Sequence, residues 1–328
     1  MIHANDSIQQ HRNASCDMVT HIRKQQINRI KIAWWNLGLD GAQKNANDID
    51  HYRARTLLQR IITEETIDGF FLGEVDKSWL SDICIGLDKK YKLFNIALSE
   101  SEPRSSYIGL IYNSDSINVD KQNQVFCLIN SKQRTAAITF RMILKYSSIS
   151  LYICCVHWPA QLNNCIADGP EYVRRAEAIR EHLSNYKQSK EGLLSKSMII
   201  GDFNEEPFNK SLSEYLQATR DRDLAISWPD RYYYNPFWRM LGADKPFSNQ
   251  STLTSGTYYY YRGQNTKWHT FDQVIVSASL IDDSCFRILE ESIRKFQSVE
   301  LIELLKNRKC SFDHLPIIVE FEFANQED

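Results

Sequence analysis

Met198-Ile199-Ile200-Gly201-Asp202-Phe203-Asn204 joins an apolar run directly to a glycine, a carboxylate and a carboxamide. The run reads as the end of a buried strand. The polar residues after it deliver two oxygen ligands to the rim of a sheet, where a hard divalent cation and a phosphate could sit. Far along the chain, Asp313-His314 precedes the last apolar run. A carboxylate and an imidazole placed there could move protons beside the same cation.

Working outward, apolar runs rich in β-branched and aromatic residues recur at 30–35, 69–72, 108–112, 136–143, 150–156, 197–200, 274–277 and 317–323, and they read as strands. Helical periodicity lies between several of them. Residues 52–66 carry Leu57, Leu58, Ile61 and Ile62 on one face, and 171–186 form a second amphipathic stretch. The strands at Ile108, Val125, Ala136 and Ser150 follow one another without room for helices and are expected to pair as antiparallel hairpins. The expected fold class is α/β: two packed, mainly antiparallel or mixed sheets flanked by helices. No repeat or low-complexity tract is evident, although 216–256 is a long irregular stretch rich in Arg, Tyr and Trp, the kind of segment that often carries function.

With 328 residues, of which 43% are hydrophobic and 24% charged, the chain can bury a large core. One catalytic domain over 29–328 is expected, after a polar extension at 1–28. That extension lacks the apolar centre of a signal peptide, and the longest apolar stretch, 151–156, is far below the ~20 residues a spanning helix needs. A cytoplasmic location without membrane insertion is therefore expected. The eight cysteines show no C-x-x-C spacing, which fits a reducing compartment. A net charge of −2 excludes a chain-wide positive field, so an anionic substrate must be held by a local patch or a metal.

Four strands end in one direction on a polar residue: Asn36, Glu74 after Gly73, His157, and Asp202 with Asn204. Asp272 and Asp313-His314 stand just before their strands. Gathered at one rim, Asn36, Glu74, Asp202, Asn204 and Asp313 would form an oxygen-ligand metal site. Neighbours on a regular strand point to opposite faces, so Asp313 and His314 can share a site only from a loop, which Pro316 makes plausible. Singly, each residue could serve a turn or a cap; the specificity lies in the set.

Trp35-Asn36-x-Gly38, Leu72-Gly73-Glu74, Val156-His157, Gly201-Asp202-Phe203-Asn204, Phe271-Asp272 and Asp313-His314-Leu315-Pro316 together resemble the ordered motifs of the endonuclease/exonuclease/phosphatase superfamily. The resemblance implies a four-layer α/β sandwich and cleavage of phosphodiesters or phosphomonoesters, usually with Mg2+, for which Mn2+ could substitute. It implies that Asn36, Glu74 and Asp313 bind or support the metal, that Asp202 and Asn204 hold the attacking water and the phosphate, and that His314 contacts the scissile phosphate. Asp272 would orient and charge His314, and His157 would be a second proton-transfer group near the leaving oxygen. Gly38 stands where abasic-site members commonly carry a carboxylate, which counts against that repair specialty. Phe312 stands where the family usually has Ser.

The expected function is a metal-dependent phosphodiesterase, foremost a nuclease acting on DNA or RNA by in-line attack of water. The alternatives are an inositol-phosphate phosphatase or lipid head-group phosphodiesterase and, from another class, a catalytically silent binding protein. Tyr232 to Tyr234, Trp238, Tyr258 to Tyr261 and Trp268 lie among Arg231, Arg239, Arg262 and Lys267, a mixture suited to stacking bases and holding phosphates. Trp238, Arg262 and Trp268 are the expected substrate contacts. The tyrosine run also reads as a strand with two rings buried and two outside. No protein partner is legible.

Overall fold

The computed structural model describes residues 27–39, 46–75, 77–95, 108–145, 147, 149–161, 167, 169–188, 196–243 and 254–324. Residues 1–26 of the expected extension and 244–253 of the irregular stretch lie outside them, and Ile27 and Asn28 already belong to the first strand.

Two large sheets form the frame. The first orders β14 (Phe286–Lys295), β15 (Ile317–Ala324), β1 (Ile27–Asn36), β2 (Gly69–Gly73), β4 (Ile108–Asn113) and β3 (Tyr91–Asn95) side by side. The second orders β5 (Ile117–Ile129), β6 (Lys132–Leu144), β7 (Ser150–His157), β8 (Lys196–Asp202), β13 (Asp272–Ser277), β10 (Tyr233–Tyr234) and β9 (Ala218–Thr219). A separate ribbon pairs β11 (Tyr258–Tyr259) with β12 (Trp268–His269). Most pairs are antiparallel; β1 with β2, β7 with β8 and β9 with β10 are parallel.

Strand alternation builds the layers. Ile32 and Trp34 of β1 face the second sheet, together with Phe71, Phe140, Ile153, Ile200, Val276 and Val319, while Ala33 and Trp35 face the helices. Helix α1 (Asp48–Glu65) packs Leu57, Leu58, Ile61 and Ile62 on the outside of the first sheet. Its start lies ahead of the apolar periodicity because Asn47 caps it through the Asp50 N–H. The short α2 (Lys77–Ile83) joins the same layer. Helix α3 (Pro170–Gln188) lays Tyr172, Ala176, Ile179 and Leu183 on the outside of the second sheet. The order is helix, sheet, sheet, helix, as the resemblance implies. The shorter α4 (Arg222–Ser227) and α5 (Val299–Lys306) complete the α-helices among the described residues.

The expected row of hairpins needs a correction. β5, β6 and β7 do pair antiparallel in sequence, but β4 pairs with β2 and β3 in the other sheet. Asn113 donates its backbone N–H to Asp68 O and its side chain to Ser116, so residues 114–116 cross between the sheets instead of forming a hairpin. Strand β14 escaped the sequence reading because it is an edge strand with a register shift between Leu289 and Arg294, which destroys the simple alternation.

Candidate active site

The topology explains why six separate motifs reach one rim. β7 and β8 run in parallel and finish together, with His157 directly opposite Asp202. β13 runs antiparallel to β8, so Asp272, its first residue, also lies opposite Asp202. β15 runs antiparallel to β1, which carries Asp313 and His314 to the end where Asn36 stands.

Alternation then chooses the direction. On β1, β7, β8 and β13 the residues two and four places away from Asn36, His157, Asp202 and Asp272 fill the core between the sheets, among them Trp34, Cys155, Ile200 and Val274. All four polar side chains therefore point into the inter-sheet cleft. Glu74 has the opposite parity, since Phe70 and Leu72 face the helices. A left-handed backbone at Glu74, φ 51°, accompanies its turn toward the site. Gly201 at φ 145° has no room for a side chain, because a Cβ there would lie 1.9 Å from Val156 O.

His314 enters against the parity of its strand. Ile317 and Val319 face the inner core, whereas Leu315 packs with the outer cluster. The alternation inverts across Pro316 and sends His314 inward. Trp35 holds this loop by donating its indole N–H to His314 O at 3.0 Å and by stacking on Phe312 at 5.8 Å. Thus the Phe at 312 is a packing anchor for the loop.

The side chains form a continuous arc. Glu74 Oε1 lies 3.3 Å from His157 Nε2, which is 4.0 Å from Asp202 Oδ2. Asp202 Oδ2 lies 3.7 Å from His314 Nε2, which is 3.9 Å from Asp313 Oδ1. Asn36 ties two carboxylates together, donating from Nδ2 to Glu74 at 3.2 Å and to Asp202 at 3.1 Å, while its Oδ1 accepts from the Gly38 N–H. Asn204 steadies Asp202 with its backbone N–H at 2.8 Å and its amide at 3.2 Å.

Behind the arc, Asp272 accepts from His314 Nδ1 at 2.8 Å and from Trp34 Nε1 at 2.7 Å. Sequence reasoning missed the role of Trp34; adjacent tryptophans on a strand signal opposite faces but not which polar groups their N–H atoms meet. Burial opposes a charge on His314, but Asp272 and Asp202 outweigh it and push its pKa up to about 10. Burial raises Asp202 to about 6; His314 works against the rise and Asp272 adds to it. For His157, burial lowers the pKa, yet Glu74 and Asp202 leave it raised overall.

Asp202, Asp272 and His314 bring one ligand atom each within 4.8 Å of one another. Both Asp272 oxygens and His314 Nδ1 are already hydrogen-bonded within the protein, and Asp202 stands only in ion-pair range of His314 Nε2, at 3.7 Å, so Asp272 and His314 form a hydrogen-bonded relay behind Asp202. Glu74 and Asp313 are the more solvent-accessible carboxylates of the arc, with side chains 19% and 18% exposed. They are oxygen donors beside a buried carboxylate whose acidity is already weakened, a donor set that fits a hard divalent cation.

The ribbon sorts the expected substrate contacts. The Tyr258 ring lies 4.6 Å from that of His314, tilted by 41°, and Tyr258 pairs across the ribbon with His269, which bonds Glu206 at 3.0 Å. Trp268 is on the other face, with Tyr259, against the outer core, so that ring is turned from the cleft. Arg262 is exposed over the Tyr261 ring. Trp238 sits under Arg220, beside Phe208. In the tyrosine run, Tyr258 and Tyr259 are partly buried and Tyr260 and Tyr261 exposed.

Residues 52–318 match the family model described as Endonuclease/Exonuclease/phosphatase family. No curated protein matches significantly by sequence. Among solved structures, a mannosyl-6-phosphatase from Bacteroides thetaiotaomicron is similar with a TM-score of 0.55 and 14% identity, covering 89% of this chain and 99% of that one. The human nocturnin catalytic domain with bound sulfate matches at 0.55 and 14%, over 92% and 98%. D. rerio TDP2 complexed with single strand DNA product matches at 0.54 and 14%, over 90% and 99%. At these identities the structures show a shared fold, and the family match extends over most of the chain: the protein belongs to the endonuclease/exonuclease/phosphatase family of phosphoesterases.

Proposed function

We propose that the protein is a divalent-metal-dependent phosphodiesterase, with Mg2+ as the metal and nucleic acid as the substrate. The carrying observation is the arc of Glu74, His157, Asp202, His314 and Asp313, backed by the Asp272 relay. Glu74 and Asp313 would hold the cation, with Asn36 orienting Glu74; when bound, it would supply Lewis-acid charge to the phosphate oxygens. Asp202, at the centre of the arc, aligns a water and accepts its proton. Asn204 fixes the Asp202 carboxylate by two hydrogen bonds. His314 has Nδ1 tied to Asp272 and therefore donates from Nε2 to a non-bridging oxygen. His157, whose charged form Glu74 favours, protonates the leaving oxygen.

Nucleic acid is preferred because an aromatic ring, Tyr258, lies against the catalytic imidazole, 4.6 Å away and tilted by 41°, and further tyrosines continue outward from it. One catalytic unit over 29–328 is part of this reading, supported by β1 pairing with β15 across the length of the chain. A cytoplasmic setting is supported by the free thiols at Cys84, Cys154, Cys155, Cys285 and Cys310. Among the described residues no helix is long and apolar enough to cross a membrane.

Incubation with single-stranded DNA, duplex DNA, RNA and inositol phosphates in parallel, with Mg2+, tests the substrate. Turnover of the inositol compounds alone would reject the nuclease reading, and no turnover of any would favour the binding-protein alternative. Asp202→Ala and His314→Ala should each lose at least ~100-fold in rate; near-normal rates would remove these residues from the chemistry.

A further inference from the structure

The ribbon faces the catalytic histidine with one side only. Tyr258 lies against His314 with its ring tilted by 41°, and Tyr260, two residues on, lies 6.5 Å from Tyr258 with the rings only 12° from parallel. Tyr261 follows at 6.1 Å from Tyr260. A series of rings thus leads from the reacting centre to solvent in steps no longer than 6.5 Å, and its two outer members are each 37% exposed.

At the outer end two cations converge. The guanidiniums of Arg262 and Arg308 lie 5.1 and 4.9 Å from the centre of the Tyr261 ring. Arg308 comes from the turn after α5, so the pair is assembled by folding. Arginines elsewhere on the protein meet acids: Arg287 with Glu322, Arg294 with Glu320 and Arg222 with Glu290. Among the described residues neither Arg262 nor Arg308 has a carboxylate partner. Two like charges held on one ring repel unless an anion bridges them. The ribbon has a separate anchor in Tyr259 and Trp268, which pack together against the outer core.

We infer that Tyr260, Tyr261, Arg262 and Arg308 form a subsite for a nucleotide flanking the scissile phosphate, with its base stacked on Tyr260 and its phosphate held by the two guanidiniums. The inference rests on the phosphodiesterase reading and deepens it. Rings specify a planar base and cations specify a phosphate; an inositol phosphate would use the arginines alone.

The test measures binding of a labelled single-stranded DNA hexamer by fluorescence anisotropy, in full-length protein with Asp202→Asn to prevent cleavage. Tyr260→Ala should weaken binding about tenfold and Tyr260→Trp should restore it. Arg308→Gln should also weaken it and reduce the slope of log K against log salt by about 0.7, a change that a purely structural role would not produce. With Asp202 intact, hydrolysis of methyl p-nitrophenyl phosphate, which is too small to span from the centre to the outer end of the ribbon at Tyr260 and Arg308, should stay within about twofold of wild type in both variants. Hexamer binding unmoved by either variant would overturn the subsite, and so would equal losses on the small ester. Failure of the wild-type protein to hydrolyse the small ester would instead defeat the phosphodiesterase reading, which separates the two failures.

Discussion

Asp272→Asn isolates the relay behind His314. Asp272 is wholly buried and uses one oxygen for His314 Nδ1 and the other for Trp34 Nε1. An asparagine has one acceptor oxygen and places an NH2 against the second donor, so one N–H loses its partner and the imidazolium loses its nearest counter-charge. Breaking a buried charged pair in this way costs about 3–5 kcal/mol of stability. His314 holds its proton up to about 10 in the folded chain, against 6.5 for an ordinary histidine. Its stabilising contribution is therefore complete below the lower value and is lost as pH rises through the higher one. The stability gap between wild type and variant should accordingly narrow from neutral pH to above about 10.

Catalysis should respond in the same direction. The alkaline limb of the rate profile, set by loss of the His314 proton, should move down by ~1–3 pH units, and kcat at the optimum should fall ~10²–10⁴-fold. Asp202, raised to about 6 partly by the Asp272 charge, should also titrate lower, carrying the acid limb down with it. The assay is steady-state hydrolysis of methyl p-nitrophenyl phosphate across pH with saturating Mg2+, with circular dichroism confirming the fold. A folded variant whose alkaline limb stays where the wild-type limb lies would refute the assignment of Asp272 as the group that holds His314 charged.

Chelation should abolish hydrolysis and added Mg2+ or Mn2+ restore it, while Glu74→Gln should weaken Mg2+ binding in calorimetric titration by ~10-fold or more; unchanged affinity would remove Glu74 from the metal site. Gly201→Ala should destabilise by at least ~2–3 kcal/mol in urea unfolding, from the left-handed backbone and the contact with Val156 O; a neutral result would contradict the β7–β8 packing. Trp34→Phe keeps the core ring but strips the donor from Asp272, and should cost about 1–3 kcal/mol with a smaller fall in kcat than Asp272→Asn shows. A larger fall would make the indole N–H the more important support.

Much of the site is legible without coordinates because it is written at strand ends. Asn36, His157, Asp202 and Asp272 keep the parity of the apolar residues beside them, and a period of two that places valines and isoleucines in a core places the next polar residue in the same direction. Glu74 and His314 break that parity. One depends on a left-handed backbone and the other on an inversion across Pro316, neither of which periodicity can reveal. Trp268 looked as suitable for substrate as its neighbours, yet cross-strand pairing with Tyr259 turns it to the core and leaves His269 facing Tyr258.

By itself the sequence determined the fold class and the chemistry present, because alternation, helical stripes and motif order are local properties of the chain. Only the tertiary structure decided which groups meet. The Trp34 support of Asp272, the Tyr258 ring on His314 and the joining of Arg308 to Arg262 link residues from 46 to 238 positions apart. Those meetings follow from sheet order and from the parallel or antiparallel sense of each pairing, which the packing of the two sheets sets and no single segment contains.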